Sequence, residues 1–153
     1  MQYIELFSSN EQEKWLEKIR DSEWGAGKLL YDWITAGKLE EKRGKNPEVL
    51  MLVDGENLAS YCLFCEYDEV QPTELSPWIG FVFTSPSYRG KRLMGTLIQK
   101  AEEKAAKKGA EYTYISTGHV GLYEKYGYTF YGMEIGYGDE ETRVYRKKVE
   151  LSL

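Results

Sequence analysis

The chain has 153 residues, with 25 Asp and Glu against 20 Lys and Arg, and a formal net charge of −5. That balance argues against a nucleic-acid partner, which needs a basic face, and is compatible with a cationic substrate such as an amine. With 42% hydrophobic and 14% aromatic residues the chain is too apolar to be disordered and sufficient for a core, so one domain over residues 1–153 is expected.

In chain order, alternation predicts a strand over residues 2–7. Asn10, with Glu13 three residues later, reads as a capping box. It opens a helix whose apolar side is Trp15, Leu16 and Ile19. Gly25 and Gly27 are expected to break that helix. A second helix follows with Leu29, Leu30, Trp33 and Ile34 on one side, ending near Gly37. The charged stretch 38–47 reads as a loop. A strand over 49–53, the turn Asp54-Gly55-Glu56-Asn57 and a strand from about residue 58 to 67 form a hairpin. A polar loop with Pro72 and Pro77 leads to a strand over 78–84. The clearest helix runs from Arg92 to about Lys108, with Leu93, Met94, Leu97, Ile98, Ala101 and Ala105 as its apolar stripe and Gly109 as its stop. A strand over 111–116, a short helix over 120–125 and two strands over 128–135 and 142–149, paired as a hairpin, complete the chain. The fold class is α/β (α+β), a mixed sheet flanked by helices.

No segment is long and apolar enough to cross a bilayer, so no membrane partner is expected. The opening Met1-Gln2-Tyr3-Ile4-Glu5-Leu6-Phe7 lacks the pattern of a secretion signal. Cys62 and Cys65 lie three apart on a strand, where they face opposite sides. They have no second cysteine pair, and His119 is the only histidine. Zinc therefore lacks ligands, no metal is expected, and the two read as ordinary reduced thiols of a cytoplasmic protein.

Residues 78–108 carry the chemical signal. A strand runs into a short loop, and a helix starts at once. The first amides of a helix have no partner within it and favour an anion. Gly90 lets backbone approach a ligand, and Arg89, Lys91 and Arg92 add positive charge. The sum is a phosphate cradle, although three cations and a glycine can equally form a solvated turn. It is not a P-loop, since no Gly-Lys-Ser/Thr follows, nor the dinucleotide fingerprint, whose glycine spacing differs.

The run Pro86-Ser87-Tyr88-Arg89-Gly90-Lys91-Arg92-Leu93-Met94-Gly95-Thr96-Leu97 resembles the pyrophosphate-binding motif of the GNAT superfamily of N-acetyltransferases. Downstream, Gly121-Leu122-Tyr123-Glu124-Lys125-Tyr126-Gly127-Tyr128 resembles that family's second signature. The likeness extends over nearly the full chain and is strongest between residues 78 and 132. Arg92 and Met94 stand where the family's Arg/Gln-x-x-Gly-x-Gly/Ala pattern has small residues, and Gly95 lies one place beyond.

The resemblance implies a mostly antiparallel seven-stranded sheet with about four helices, splayed between the fourth and fifth strands. It implies acetyl-CoA as co-substrate, with its pantetheine arm against the backbone of Val82, Phe83 and Thr84. The pyrophosphate would lie over Arg89, Gly90, Lys91, Arg92, Leu93, Met94, Gly95 and Thr96. It further implies direct attack of a primary amine on the thioester, with a backbone N–H near Val82 for the oxyanion. Tyr123 would be the acid that protonates the leaving thiolate; otherwise it is one of 13 tyrosines that merely pack.

The base is not identified. Glu66, Asp68 and Glu74 read as solvated carboxylates, and His119 as a polar or structural residue. Trp15, Trp24 and Trp33 belong to a helix pair expected to wall the acceptor pocket; of the three only Trp24 reads as a loop residue. The acceptor is a small-molecule or peptide amine, and the oligomeric state stays open, a homodimer included. The alternatives are a catalytically silent acyl-CoA sensor of the same fold and an unrelated α/β domain without cofactor.

Overall fold

The computed structural model describes residues 1–150, apart from the Tyr137 side chain. Seven strands, β1 (Gln2–Glu5), β2 (Glu48–Asp54), β3 (Asn57–Cys65), β4 (Trp78–Thr84), β5 (Tyr112–Thr117), β6 (Thr129–Ile135) and β7 (Glu141–Lys148), form one sheet in the order β1-β2-β3-β4-β5-β7-β6. Four α-helices accompany them: α1 (Gln12–Arg20), α2 (Gly25–Thr35), α3 (Leu39–Arg43) and α4 (Leu93–Lys107). Among the described residues no helix is long and apolar enough to cross a membrane.

β2 and β3 are buried nearly end to end because both faces of the sheet are covered. Strand alternation sends Val49, Met51 and Val53 to one side, where they meet Trp15, Ile19, Leu30 and Trp33 from α1 and α2. Leu50 and Leu52 go to the other side, against Leu97, Ile98 and Ala101 of α4. Cys62 and Cys65 fall into these two opposite cores as free, buried thiols. Burial pushes the Cys62 thiol up to about 12.

The expected splay is present. Adjacent strands pair antiparallel except β4 and β5, which run parallel and share only the register pair Trp78↔Tyr114. Between the pairs Tyr61↔Phe83 and Leu63↔Gly80, β4 holds one residue more than β3. Phe81 sits there at φ 49°. Such a bulge bends its strand, and here it turns the second half of β4 away from β5.

Local expectations fail in five places. The first strand stops at Glu5, and Leu6–Ser8 form a 3₁₀ turn. Asn10 caps nothing: Glu11 is the N-cap of α1, and its own N–H donates to Ser9 Oγ at 3.0 Å. Gly25 and Gly27 belong to α2 rather than interrupting a helix. A β-carbon at Gly27 would meet Ser22 Oγ at 2.5 Å and the Tyr61 hydroxyl at 2.7 Å, so glycine there lets α2 pack closely. The charged stretch 38–47 contains α3, which ends on buried Arg43. The short helix over 120–125 is instead a 3₁₀ turn at Tyr123–Tyr126.

Candidate active site

Because β4 and β5 part below Trp78, a cleft opens between them and two cavities meet in it. The larger, about 640 Å³, extends to the start of α4. The smaller, about 370 Å³, extends toward α2 and α3. Trp24, Val82, His119 and Tyr123 stand on the walls of both.

The larger cavity ends at the loop and helix start that the sequence marks as a candidate anion cradle. Arg92 precedes α4 in the left-handed region at φ 56°, and no side chain caps the helix or puts an acid in its first turn. The amides of Leu93 and Met94 therefore have no partner within the helix or from a capping side chain. Gly90 holds φ 81°, a backbone that favours glycine. Tyr88 donates from its hydroxyl to Asp54 Oδ2 at 2.8 Å and ties this loop to the β2–β3 turn. Arg89 donates from Nε to the Thr84 carbonyl at 3.0 Å, which sets its guanidinium over the end of β4.

Of the residues that the resemblance assigned to the cofactor, Val82, Phe83, Thr84, Arg89, Gly90, Arg92, Leu93 and Met94 line this cavity. Lys91, Gly95 and Thr96 do not. The Lys91 ammonium lies 5.5 Å from the centre of the Tyr88 ring. Gly95 faces Tyr126, whose Cε1 would stand 3.0 Å from an added β-carbon. Its small size thus serves helix packing. Phe83 pairs with Tyr61, and its carbonyl accepts a hydrogen bond from Ser60 Oγ at 2.8 Å. Its backbone accordingly faces β3, and alternation turns Val82 and Thr84 toward the open side.

Tyr123 is buried at the junction. The residues around it form its support. The Glu124 carboxylate accepts from the Gly121 N–H at 3.0 Å, Gly127 turns the chain at φ 91°, and the Tyr128 N–H donates to the Tyr123 carbonyl at 3.2 Å. Burial raises the Tyr123 phenol well above its ordinary value, so it stays protonated at neutral pH.

Trp24 is the N-cap residue of α2, with extended backbone. Its ring stacks on Phe83 at 5.7 Å and 5°. Trp15 and Trp33 are core residues.

The smaller cavity holds Asp68 together with Arg43 and Glu69, two charges that the sequence did not single out. Asp68 is not a solvated carboxylate: it is 5% exposed, and burial lifts its carboxyl to about 6 against the opposing pull of Arg43. Arg43 is equally buried, 3.6 Å from Asp68 Oδ1 through Nε, which has no hydrogen-bond partner. Glu69 accepts from Ser116 Oγ at 3.0 Å. Of the other two candidate carboxylates, Glu66 is half-buried and Glu74 exposed, and neither lines either cavity. His119 is exposed on the rim. Arg43 carried no signal in the sequence, since a cation in a charged stretch reads as surface.

Residues 4–128 match the profile of the acetyltransferase (GNAT) family. A search of curated proteins finds no significant match. Among solved structures, an aminoglycoside 6'-N-acetyltransferase complexed with coenzyme A aligns over 100% of this chain and 99% of its own, with a TM-score of 0.71 at 15% identity. The aminoglycoside 6'-N-acetyltransferase from Enterococcus faecium aligns over the same shares with a TM-score of 0.69 at 14% identity. Tetrahymena GCN5 does so with a TM-score of 0.69 at 13% identity. At such identities the likeness is one of fold.

Proposed function

Since this chain belongs to the GNAT family of acetyltransferases and is thus an acyl-CoA-dependent acyltransferase, we propose that it transfers acetyl from acetyl-CoA to the primary amine of a small molecule by direct attack, as one cytoplasmic domain. One observation carries this reading. The cleft joins an anion cradle at Arg89–Met94 to a second chamber holding two carboxylates, and Val82 and Tyr123 stand where the two meet.

Acetyl-CoA supplies an activated acetyl group and a thiolate leaving group. The α4 amides, with Arg89 and Arg92, hold its diphosphate. The open edge of β4 at Val82 and Thr84 takes the pantetheine amides. The Val82 N–H donates to the oxygen on which charge develops. Tyr123, kept protonated by burial, donates to the leaving sulfur. The acceptor enters from the smaller chamber. Its amine character is supported by the Asp68 and Glu69 carboxylates there and by neighbours that are aminoglycoside acetyltransferases.

The test is release of free thiol from acetyl-CoA with a panel of small amines, read against calorimetry of acetyl-CoA alone. Binding with turnover supports the reading. Binding without turnover on any amine makes the chain a silent acyl-CoA sensor, and no binding removes the cradle.

A further inference from the structure

The smaller chamber contains an ion pair whose two members are both buried and whose Arg43 Nε has no hydrogen-bond partner. The Arg43 Nε faces Asp68 Oδ1 at 3.6 Å, longer than a hydrogen bond. Among the described residues the guanidinium donates one hydrogen bond, from Nη1 to the Lys42 carbonyl at 3.0 Å. The guanidinium lies beside two aromatic rings, 4.8 Å from the centre of Trp33 and 5.6 Å from that of Phe81. Across from it the Asp68 carboxylate lies directly on the Cα of Gly80, where any β-carbon would collide with it. That contact holds Asp68 against β4 two residues before Val82. The other walls are mixed: Trp24, Leu29, Phe81 and Ile115 form an apolar side, and Glu69, Ser116 and His119 stand on the polar side.

We infer that Asp68 receives the ammonium head of an acceptor amine with an apolar body and takes its proton, with Arg43 as the positioning residue that keeps the carboxylate in place. This rests on the acetyl-transfer reading and deepens it by naming the acceptor class and the base. A buried carboxylate with a neighbouring cation only at 3.6 Å has room for a second, closer donor, which an ammonium supplies. The aromatic and aliphatic walls take the body of that donor.

During transfer the amine nitrogen forms a bond to the acetyl carbon while the C–S bond breaks. The nitrogen sheds two protons. One goes to Asp68 and on to water; the other reaches the departing sulfur by way of the Tyr123 hydroxyl, which is restored at the end. The carboxyl's raised value, about 6, makes it a better proton acceptor than an ordinary aspartate while leaving it ionised at neutral pH. The groups that face it are Arg43 on α3, the neutral Cys65 thiol on β3, Glu69 beside it and the neutral Tyr123 phenol. His119 stands across the chamber.

The experiment uses 2-phenylethylamine as the probe, with kanamycin and cadaverine as polycationic comparators. In the wild-type chain, calorimetry should show 2-phenylethylamine binding at pH 7.5 and losing most of its affinity at pH 5, where Asp68 is protonated. Asp68→Asn should abolish that pH dependence, keep acetyl-CoA binding and lower kcat by about 10²–10⁴-fold. In the wild type the acid limb of kcat/KM, which reports the free enzyme, should lie near 6. Arg43→Lys, which keeps the charge, should retain most of the rate where Arg43→Gln does not.

Amine binding that ignores both pH and Asp68→Asn overturns the inference, as does turnover of kanamycin or cadaverine with none of 2-phenylethylamine. Should Asp68→Asn not fold, the wild-type pH dependence of amine binding still decides. Amine binding that follows Asp68 without any acetyl transfer would sink the catalytic reading and leave the ammonium site standing.

Discussion

Gly80 and Asp68 are in contact through the space a side chain would fill: the carboxylate of one occupies the position of the missing β-carbon of the other. The glycine in β4 thereby decides where a buried acid sits. Gly80→Ala should destabilise the chain by about 1–3 kcal/mol, the usual cost of overpacking a filled site. It should also push Asp68 off β4. Denaturant unfolding measures the first effect, and loss of the acid limb in the pH profile reports the second.

Arg43 and Asp68 form a buried pair, and removing one member leaves the other uncompensated. Arg43→Met should cost about 3–5 kcal/mol at pH 8, with a smaller deficit at pH 5, where the lone carboxyl is neutral. The wild type has its own signature. The Asp68 carboxyl is raised to about 6 in the fold, against about 4 in an unfolded chain. Between those values the native state holds the extra proton. Stability from this group is therefore greatest below about pH 4, falls as pH rises to about 6, and is flat beyond. Thermal melts across that range check both statements.

The cradle at the start of α4 predicts an affinity effect without a stability effect. Arg89→Ala and Arg92→Ala remove exposed cations and should each weaken CoA binding by about 1.5–3 kcal/mol, the range for charge-assisted hydrogen bonds. Melting temperature should scarcely move. Affinity should fall as salt is raised in the wild type and less steeply in the variants. Calorimetry at two ionic strengths reads all of this.

Tyr123 predicts the complementary pattern. Tyr123→Phe keeps the ring packed against Tyr128, 6.5 Å between centroids, and removes only the hydroxyl. The expected result is a fall in kcat of about 10²-fold or more, with the dissociation constant for CoA unchanged. A fall in affinity instead would mean that the residue binds rather than donates.

Gly95 links the cradle to that tyrosine. An added β-carbon would stand 3.0 Å from Tyr126 Cε1, in the same 3₁₀ turn as Tyr123. Gly95→Val should therefore displace the turn and depress kcat although residue 95 does not line the cavity. Tyr123 fluorescence or a tyrosine-edited NMR spectrum would show the shift.

The legible features were those written locally. The α4 stripe from Leu93 to Ala105 repeats at helical spacing, and Gly109 ends it at φ 74°. The β2–β3 hairpin declares itself through its turn. The anion cradle is contiguous, because a helix start and its preceding loop are neighbours in sequence as well as in space. The sheet's opening between β4 and β5 came from the resemblance, and its cause, the bulge at Phe81, has no local mark.

Tertiary structure alone decided the second chamber. Trp24 precedes α2, Arg43 ends α3, Asp68 follows β3 and Gly80 lies within β4. Their meeting depends on how three helices settle on one face of the sheet. Burial separates Asp68 from Glu66 and Glu74, and burial is a property of the packed molecule, not of a carboxylate's sequence neighbours. Gly25 and Gly27 show the same limit: glycine reads as a helix breaker, yet at Gly27 close contact with Ser22 and Tyr61 makes its lack of a side chain the condition for packing the helix. What the sequence determined by itself was most of the elements and the cationic loop before α4, through periodicity and backbone freedom. Which charges share a dry pocket was left to the tertiary structure, because desolvation acts only once distant segments close around them.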